Sequence, residues 1–208
     1  MNRLGRAAAV CLWLVTGCAS TGDPVDISIP SAVSSAAATQ GTTKTGPGLK
    51  VAVEPFDDAR TDRSHLGTRA HFWGSTSHFD LQKGTVGEAI AQHIVQRLNK
   101  HGWQASLAGR DGASSPDATI SGSIQDLSVT AVSKFGRTEL EAKSALLVRV
   151  TNHSDESWAQ ERVFSTGVNK VYWFDPSDAE QLVNEVLQTN IEKFISDTKV
   201  EGTIASFR

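Results

Sequence analysis

Between Ala19 and Arg208 the chain holds no cysteine; its two cysteines, Cys11 and Cys18, both lie near the start. No other feature limits the fold as strongly. No disulfide can staple this part of the chain, and no thiolate can hold a structural metal. The fold must rest on a hydrophobic core. Leu49 to Arg208 makes 160 residues, and a domain of that size buries ~70% of the surface its unfolded chain exposes. One domain around one core is the expectation.

The first residues are not part of that domain. Arg3 and Arg6 form a positive head, Ala7 to Val15 is an uncharged apolar run, and Val15-Thr16-Gly17-Cys18 closes it with small residues. A positive head, ~7–15 apolar residues and a small-residue exit mark a secretory signal. A membrane-spanning helix would need ~20 apolar residues. Residues 1–17 are therefore read as a signal peptide. The ending Val-Thr-Gly-Cys resembles a bacterial lipoprotein box. The resemblance implies cleavage before Cys18, a diacylglycerol on its thiol and a triacylated amino terminus. That meets the need for two or more chains in stable anchoring. Ala19 and Ser20, with no Asp, resemble the pattern of lipoproteins sent to the outer membrane, with the domain in the periplasm.

Residues 18–48 are mostly Ser, Thr, Ala, Gly and Pro. Such a segment buries too little apolar surface to offset its ordering entropy. It reads as a flexible, lipid-anchored tether of ~30 Å root-mean-square span; Val25 to Ile29 has some apolar content, with a short docked piece as the alternative to the tether there. Loss of Arg3 and Arg6 takes the net charge from −3 to −5. A mildly acidic surface argues against nucleic acid, which selects a basic face.

The globular domain spans 49–208. Leu49, Val51 and Val53 alternate as in a half-buried strand, ended by Pro55. Asp57 to Gln82 is polar and reads as one long irregular loop, of a length that tends to be functional. Thr85 and Glu88 match a capping box, Val86, Ile90, Ile94 and Leu98 form a helical stripe, and Gly102 stops it. Trp103 to Leu107 is a short strand. Asp117 to Ser133 is a long strand whose apolar phase changes between Ile124 and Leu127, the sign of a bulge. Phe135-Gly136-Arg137 is a hairpin tip. Leu140, Ala142, Ser144, Leu146, Val148 and Val150 share one face of the return strand, and Trp158 to Val168 is a further strand. A last helix, capped at Asp175 or Ser177, buries Leu182, Val183, Val186, Leu187, Ile191, Phe194 and Ile195. The order predicts an α+β domain: a mostly antiparallel sheet of four to six strands with two helices on one face.

His65, His71 and His78 share the 57–82 loop with Asp57, Asp58 and Asp62, and His with carboxylate suits a divalent ion, but the spacing matches no rigid metal motif. Ser196 and Lys199 spell Ser-x-x-Lys without the companion elements in order. Gly84 to Gly87 lacks the lysine of a phosphate loop. No catalytic residue and no cofactor site is assigned. Aromatic residues on loops are good contact anchors, which makes Phe72, Trp73 and Phe79, with Arg60, the partner-contact candidates. Tyr172, Trp173 and Phe174 form a second aromatic group.

The run Val51-Ala-Val53, Asp58-Ala-Arg60, Leu66-Gly67 and a capped helix ending at Gly102 resembles the YajG-like outer-membrane lipoproteins, over about Leu49 to Asp197. The resemblance implies fold and location rather than an activity, and Asp58 and Arg60 are expected to pair and hold the loop. The functional expectation is a non-enzymatic binding or accessory module, held to the membrane by lipid on Cys18 and assisting an envelope protein complex. The alternative is a metal- or small-ligand-binding lipoprotein using loop 57–82.

Overall fold

The structure is a computed structural model that describes residues 24–29, 48–109, 115–202 and 204–207. The signal segment 1–17 and Cys18 lie outside the described residues. In chain order the elements are β1 (Val25–Ile27), β2 (Lys50–Val53), β3 (Asp57–Asp58), β4 (Gly67–Ala70), β5 (Thr76–Leu81), α1 (Val86–Lys100), β6 (Gln104–Leu107), β7 (Ala118–Lys134), β8 (Arg137–Asn152), β9 (Trp158–Val171), α2 (Pro176–Asp197), β10 (Thr198–Glu201) and β11 (Ile204–Phe207).

β7 organises the sheet. On one side it pairs antiparallel with β8 along its whole length, and β8 pairs antiparallel with β9. The register of β7 slips between Ile124 and Asp126. That bulge reconciles the sequence pattern with a single buried face. Ile120 and Ile124 precede it, Leu127, Val129 and Ala131 follow it, and all five are buried. On its other side β7 is met in turn by β2, β3 and β4, each parallel to it. β2 is extended by β6 in parallel, β4 by β5 in antiparallel, and β5 by β1 in parallel.

The sheet is therefore nine-stranded and mixed, not the mostly antiparallel sheet of four to six strands expected from the sequence. Two physical reasons account for the difference. β4 reads Gly-Thr-Arg-Ala and β3 is two aspartates, so neither shows apolar alternation; backbone pairing to β7 holds them in place. β6 reaches β2 through α1, a crossover that makes the pair parallel, and periodicity along one strand carries no information about its partner's direction. Within the stretch read as a tether, Val25–Ile27 is a docked strand. Ile27 and Ile29 are buried in the core, and the Ser28 amide donates to Glu180 on α2 at 2.7 Å.

α1 begins with the Thr85–Glu88 capping box, and α2 with a second one formed by Asp175 and Asp178. The helices meet through Glu192, which accepts from Arg97 at 3.4 Å and lies 3.0 Å from the His101 ring. Ile90, Ile94 and Leu98 from α1 and Leu182, Leu187, Ile191 and Phe194 from α2 join the strand residues in one core. The opposite face of β7–β9 is open to solvent and carries Trp158, Phe164 and Val168, all exposed. β10 and β11 form a separate antiparallel pair. Asn152 holds β11, donating to the Ala205 carbonyl at 3.0 Å and accepting from its amide at 2.9 Å.

Candidate functional site

Three chain reversals meet at one end of the sheet. The register places them there: Ala70 is level with Val132, Val132 with Glu139, and Thr138 with Val171. The β4–β5 turn, the β7–β8 tip and the junction from β9 into α2 thus lie side by side.

Each reversal presents aromatic rings to solvent. In the β4–β5 turn the His71 amide donates to Ser75 at 2.8 Å and the Gly74 amide to His71 at 3.0 Å. This turn lifts Phe72 and Trp73 outward, 50% and 90% exposed, with their rings edge to face at 5.0 Å. The β7–β8 tip is Phe135-Gly136. Gly136 has φ +74, the left-handed conformation that a two-residue hairpin favours and glycine supplies, and Phe135 is 92% exposed. At the third reversal Phe174 turns inward, 6.0 Å from Phe79 and beneath the Arg69 guanidinium at 3.9 Å. Tyr172 and Trp173 point out, 85% and 90% exposed. Lys134 and Arg137 flank the end and both pair with Glu139. The Lys134 ammonium bonded to it, aided by Arg137, holds the Glu139 carboxyl below its ordinary range.

The structure separates the partner-contact candidates. Phe72 and Trp73 stand at this end. Phe79 is 0% exposed and belongs to the core, because its place in β5 points it at the helices. Arg60 is also buried. Its Nε and Nη2 donate to the two Asp58 carboxylate oxygens at 2.9 and 2.8 Å, and Nη1 donates to the carbonyls of His65 and Leu127. The pair fastens the loop to the β7 bulge, the holding role expected of it. Neither Phe79 nor Arg60 is free to touch a partner.

The histidines are divided as well. His65 stacks on His78, ring centroids 4.1 Å apart, and its Nδ1 lies 2.6 Å from Asp80. His71 bonds Ser77 instead, at 2.7 Å. Ser77 and His78 are neighbours on β5 and so face opposite sides of the sheet. Burial and the nearby Arg69 charge push the His71 ring below its ordinary pKa. Among the described residues no group of three or more His, Cys, Asp or Glu is placed to hold a metal ion. A cleft of about 530 Å³ opens over the bulge between Arg60, His65, His78, Asp126 and Arg162. Of its lining groups, Arg60 is paired with Asp58 and His65 with Asp80.

Phe72 and Trp73 are legible as contact residues in the sequence; that Phe135, Tyr172 and Trp173 share their site is not. The available signal was an aromatic residue at each of three chain reversals. What joins them is strand register, which no one of those segments contains.

No protein-family model matches the chain, and no curated protein matches it. Solved structures share its outline at low identity. Protein XCC0632 from Xanthomonas campestris is 11% identical over 71% of this chain and 82% of that one, with a TM-score of 0.48. The PelC dodecamer from Paraburkholderia phytofirmans is 14% identical over 70% and 88%, at 0.35. Lipoprotein GNA1162 from Neisseria meningitidis is 10% identical over 68% and 96%, at 0.36. The YajG-like resemblance gains no support from a family model. No helix among the described residues is long and apolar enough to cross a membrane.

Proposed function

We propose that this chain is a lipid-anchored, non-enzymatic accessory module of the bacterial cell envelope, held at the outer membrane with its domain in the periplasm, which engages a neighbouring envelope component through its aromatic end. The signal segment and Cys18 support the anchor. The observation that carries the reading is the convergence of Phe72, Trp73, Phe135, Tyr172 and Trp173, exposed from three separate reversals at one end of the sheet. A soluble domain gains nothing by holding so many large rings in water, whereas rings of this kind bury large area at small entropic cost when a surface meets them. Two of the polar side chains that the sequence offers for chemistry hold loops: Asp58 pairs with Arg60, and His65 with Asp80.

The test is photocrosslinking in cells from position 73, in the full chain, with position 158 as the control at the other end of β9. The reading expects adducts from position 73 that are absent from position 158. Equal yields from both positions, or none from 73, would overturn it.

A further inference from the structure

We infer that the surface met by the aromatic end is a lipid bilayer, with Phe72, Trp73, Phe135, Tyr172 and Trp173 lodged at the boundary of headgroups and acyl chains. The inference rests on the proposed anchor and aromatic working surface, and it names the occupant of that surface.

β1 carries the argument. It runs parallel to β5, with Val25 level with Phe79 and Ile27 with Leu81. β5 starts at the aromatic β4–β5 turn and runs away from it, so β1 does too. The chain therefore enters β1 from the aromatic side, and whatever is attached upstream of Val25 attaches there. The seven peptide steps from Cys18 to Val25 span at most ~25 Å.

Chain length then decides between the two ends of the sheet. The row of Val25 also contains Phe79, Gly67 and Val129. From it to the Ala70–Thr76 row is three strand residues, or ~10 Å. In the other direction, Val129 is level with Ala142 and Gly167, and Gly167 to Trp158 along β9 is ~30 Å. A lipid on Cys18 can lie in the plane of the aromatic tips. It falls short of the far end. The docked strand thus converts a long tether into a short one that turns the aromatic end to the membrane.

Surface chemistry fits the same occupant. Trp and Tyr favour the membrane interface, where the ring is half apolar and half wet. The rings protrude from three separate turns, with Phe72 and Trp73 edge to face on one of them, a shape suited to insertion into a fluid surface. Lys134, Arg137 and Lys170 lie just behind them around the single carboxylate of Glu139, which pairs with the first two, and this net positive cluster stands at the level where anionic headgroups would sit.

The experiment uses the lipidated full chain in vesicles of phosphatidylethanolamine and phosphatidylglycerol whose acyl chains carry bromine near the headgroup. After the signal segment the tryptophans are Trp73, Trp103, Trp158 and Trp173. Trp103 precedes Gln104, which is level with Lys50 beside the Ala118 row, so it marks the far end together with Trp158. The expected result is a loss of tryptophan emission against unbrominated vesicles that disappears in the W73F/W173F double variant, while Trp103 and Trp158 still emit. Trp73 and Trp173 are almost fully exposed, so the fold does not depend on them. Adding Phe135→Trp to the double variant restores the loss. Emission unaffected by bromine, or a loss that persists in W73F/W173F, overturns the inference. A crosslink from position 73 to a protein instead of to lipid also overturns it, while leaving the proposed function in place; no adduct from position 73 removes both.

Discussion

Arg60 and Asp58 face each other across one intervening residue and share two hydrogen bonds, at 2.9 and 2.8 Å, with the guanidinium buried and the carboxylate partly so. Two further bonds run from the same guanidinium to the main chain at His65 and Leu127. Removing the guanidinium strands a carboxylate and two carbonyls. Arg60→Ala is expected to cost about 3 kcal/mol, the scale of breaking a buried pair from one side. Urea unfolding at neutral pH measures it. The hydrogen bond from Arg60 holds the Asp58 carboxyl below its ordinary value of 3.8. A depressed acid contributes stability that is present above the unfolded value and lost as pH falls through the folded one. The difference between wild type and Asp58→Asn should therefore shrink only below that value.

Gly87 lies in the first turn of α1, where Ala would gain up to ~1 kcal/mol of helix propensity. A Cβ there would sit 2.0 Å from the Phe56 carbonyl oxygen, a backbone atom that cannot swing aside. Overpacking of this kind costs ~1–3 kcal/mol. Gly87→Ala is accordingly expected to lower the melting temperature, against the direction of propensity.

His93 is buried on α1, and neither of its ring nitrogens has a protein partner among the described residues. Burial, helped by the nearby charges of Arg97 and Lys100, lowers its pKa from 6.5 to about 4. Between those values the unfolded chain binds the proton and the folded chain does not. Stability therefore falls as pH drops from 6.5 toward 4, by an amount on the order of 3 kcal/mol. His93→Leu removes that slope. Urea midpoints at pH 7 and pH 5 check it: the variant should gain on wild type at the lower pH.

Asn152 imitates a strand neighbour for Ala205, giving and accepting one main-chain bond at 3.0 and 2.9 Å. It also donates to the Ser157 hydroxyl at 2.9 Å. Asn152→Ala leaves the Ala205 groups buried and unpaired, at a cost of ~2 kcal/mol. The expected signature is early proteolytic loss of β11, with the β7–β9 meander still intact.

Elements defined by their own residues were legible in the sequence. The Thr85–Glu88 box, the α1 and α2 stripes, the β7 bulge, the Phe135-Gly136 tip and the single buried face of β8 each follow from spacing within one segment. The parts defined by a neighbour were not. β3 and β4 are polar, β1 is three residues in a Ser- and Ala-rich stretch, and parallel partnership leaves no mark on either strand. Phe79 illustrates the cost at the site: beside Phe72 and Trp73 in sequence it reads as a third loop aromatic, but strand alternation in β5 sends it to the core. Phe135, Tyr172 and Trp173 illustrate the converse, because only the β7–β8–β9 register brings them together.

Amide hydrogen exchange of the lipidated chain, compared between detergent and vesicles, tests most directly whether the aromatic end faces the bilayer. The account predicts slowed exchange in vesicles at the three reversals around Phe72–Trp73, Phe135–Gly136 and Tyr172–Trp173, with the turn from Asn152 to Trp158 unchanged. Exchange that stays the same at those reversals, or that slows around Asn152 to Trp158, would contradict it.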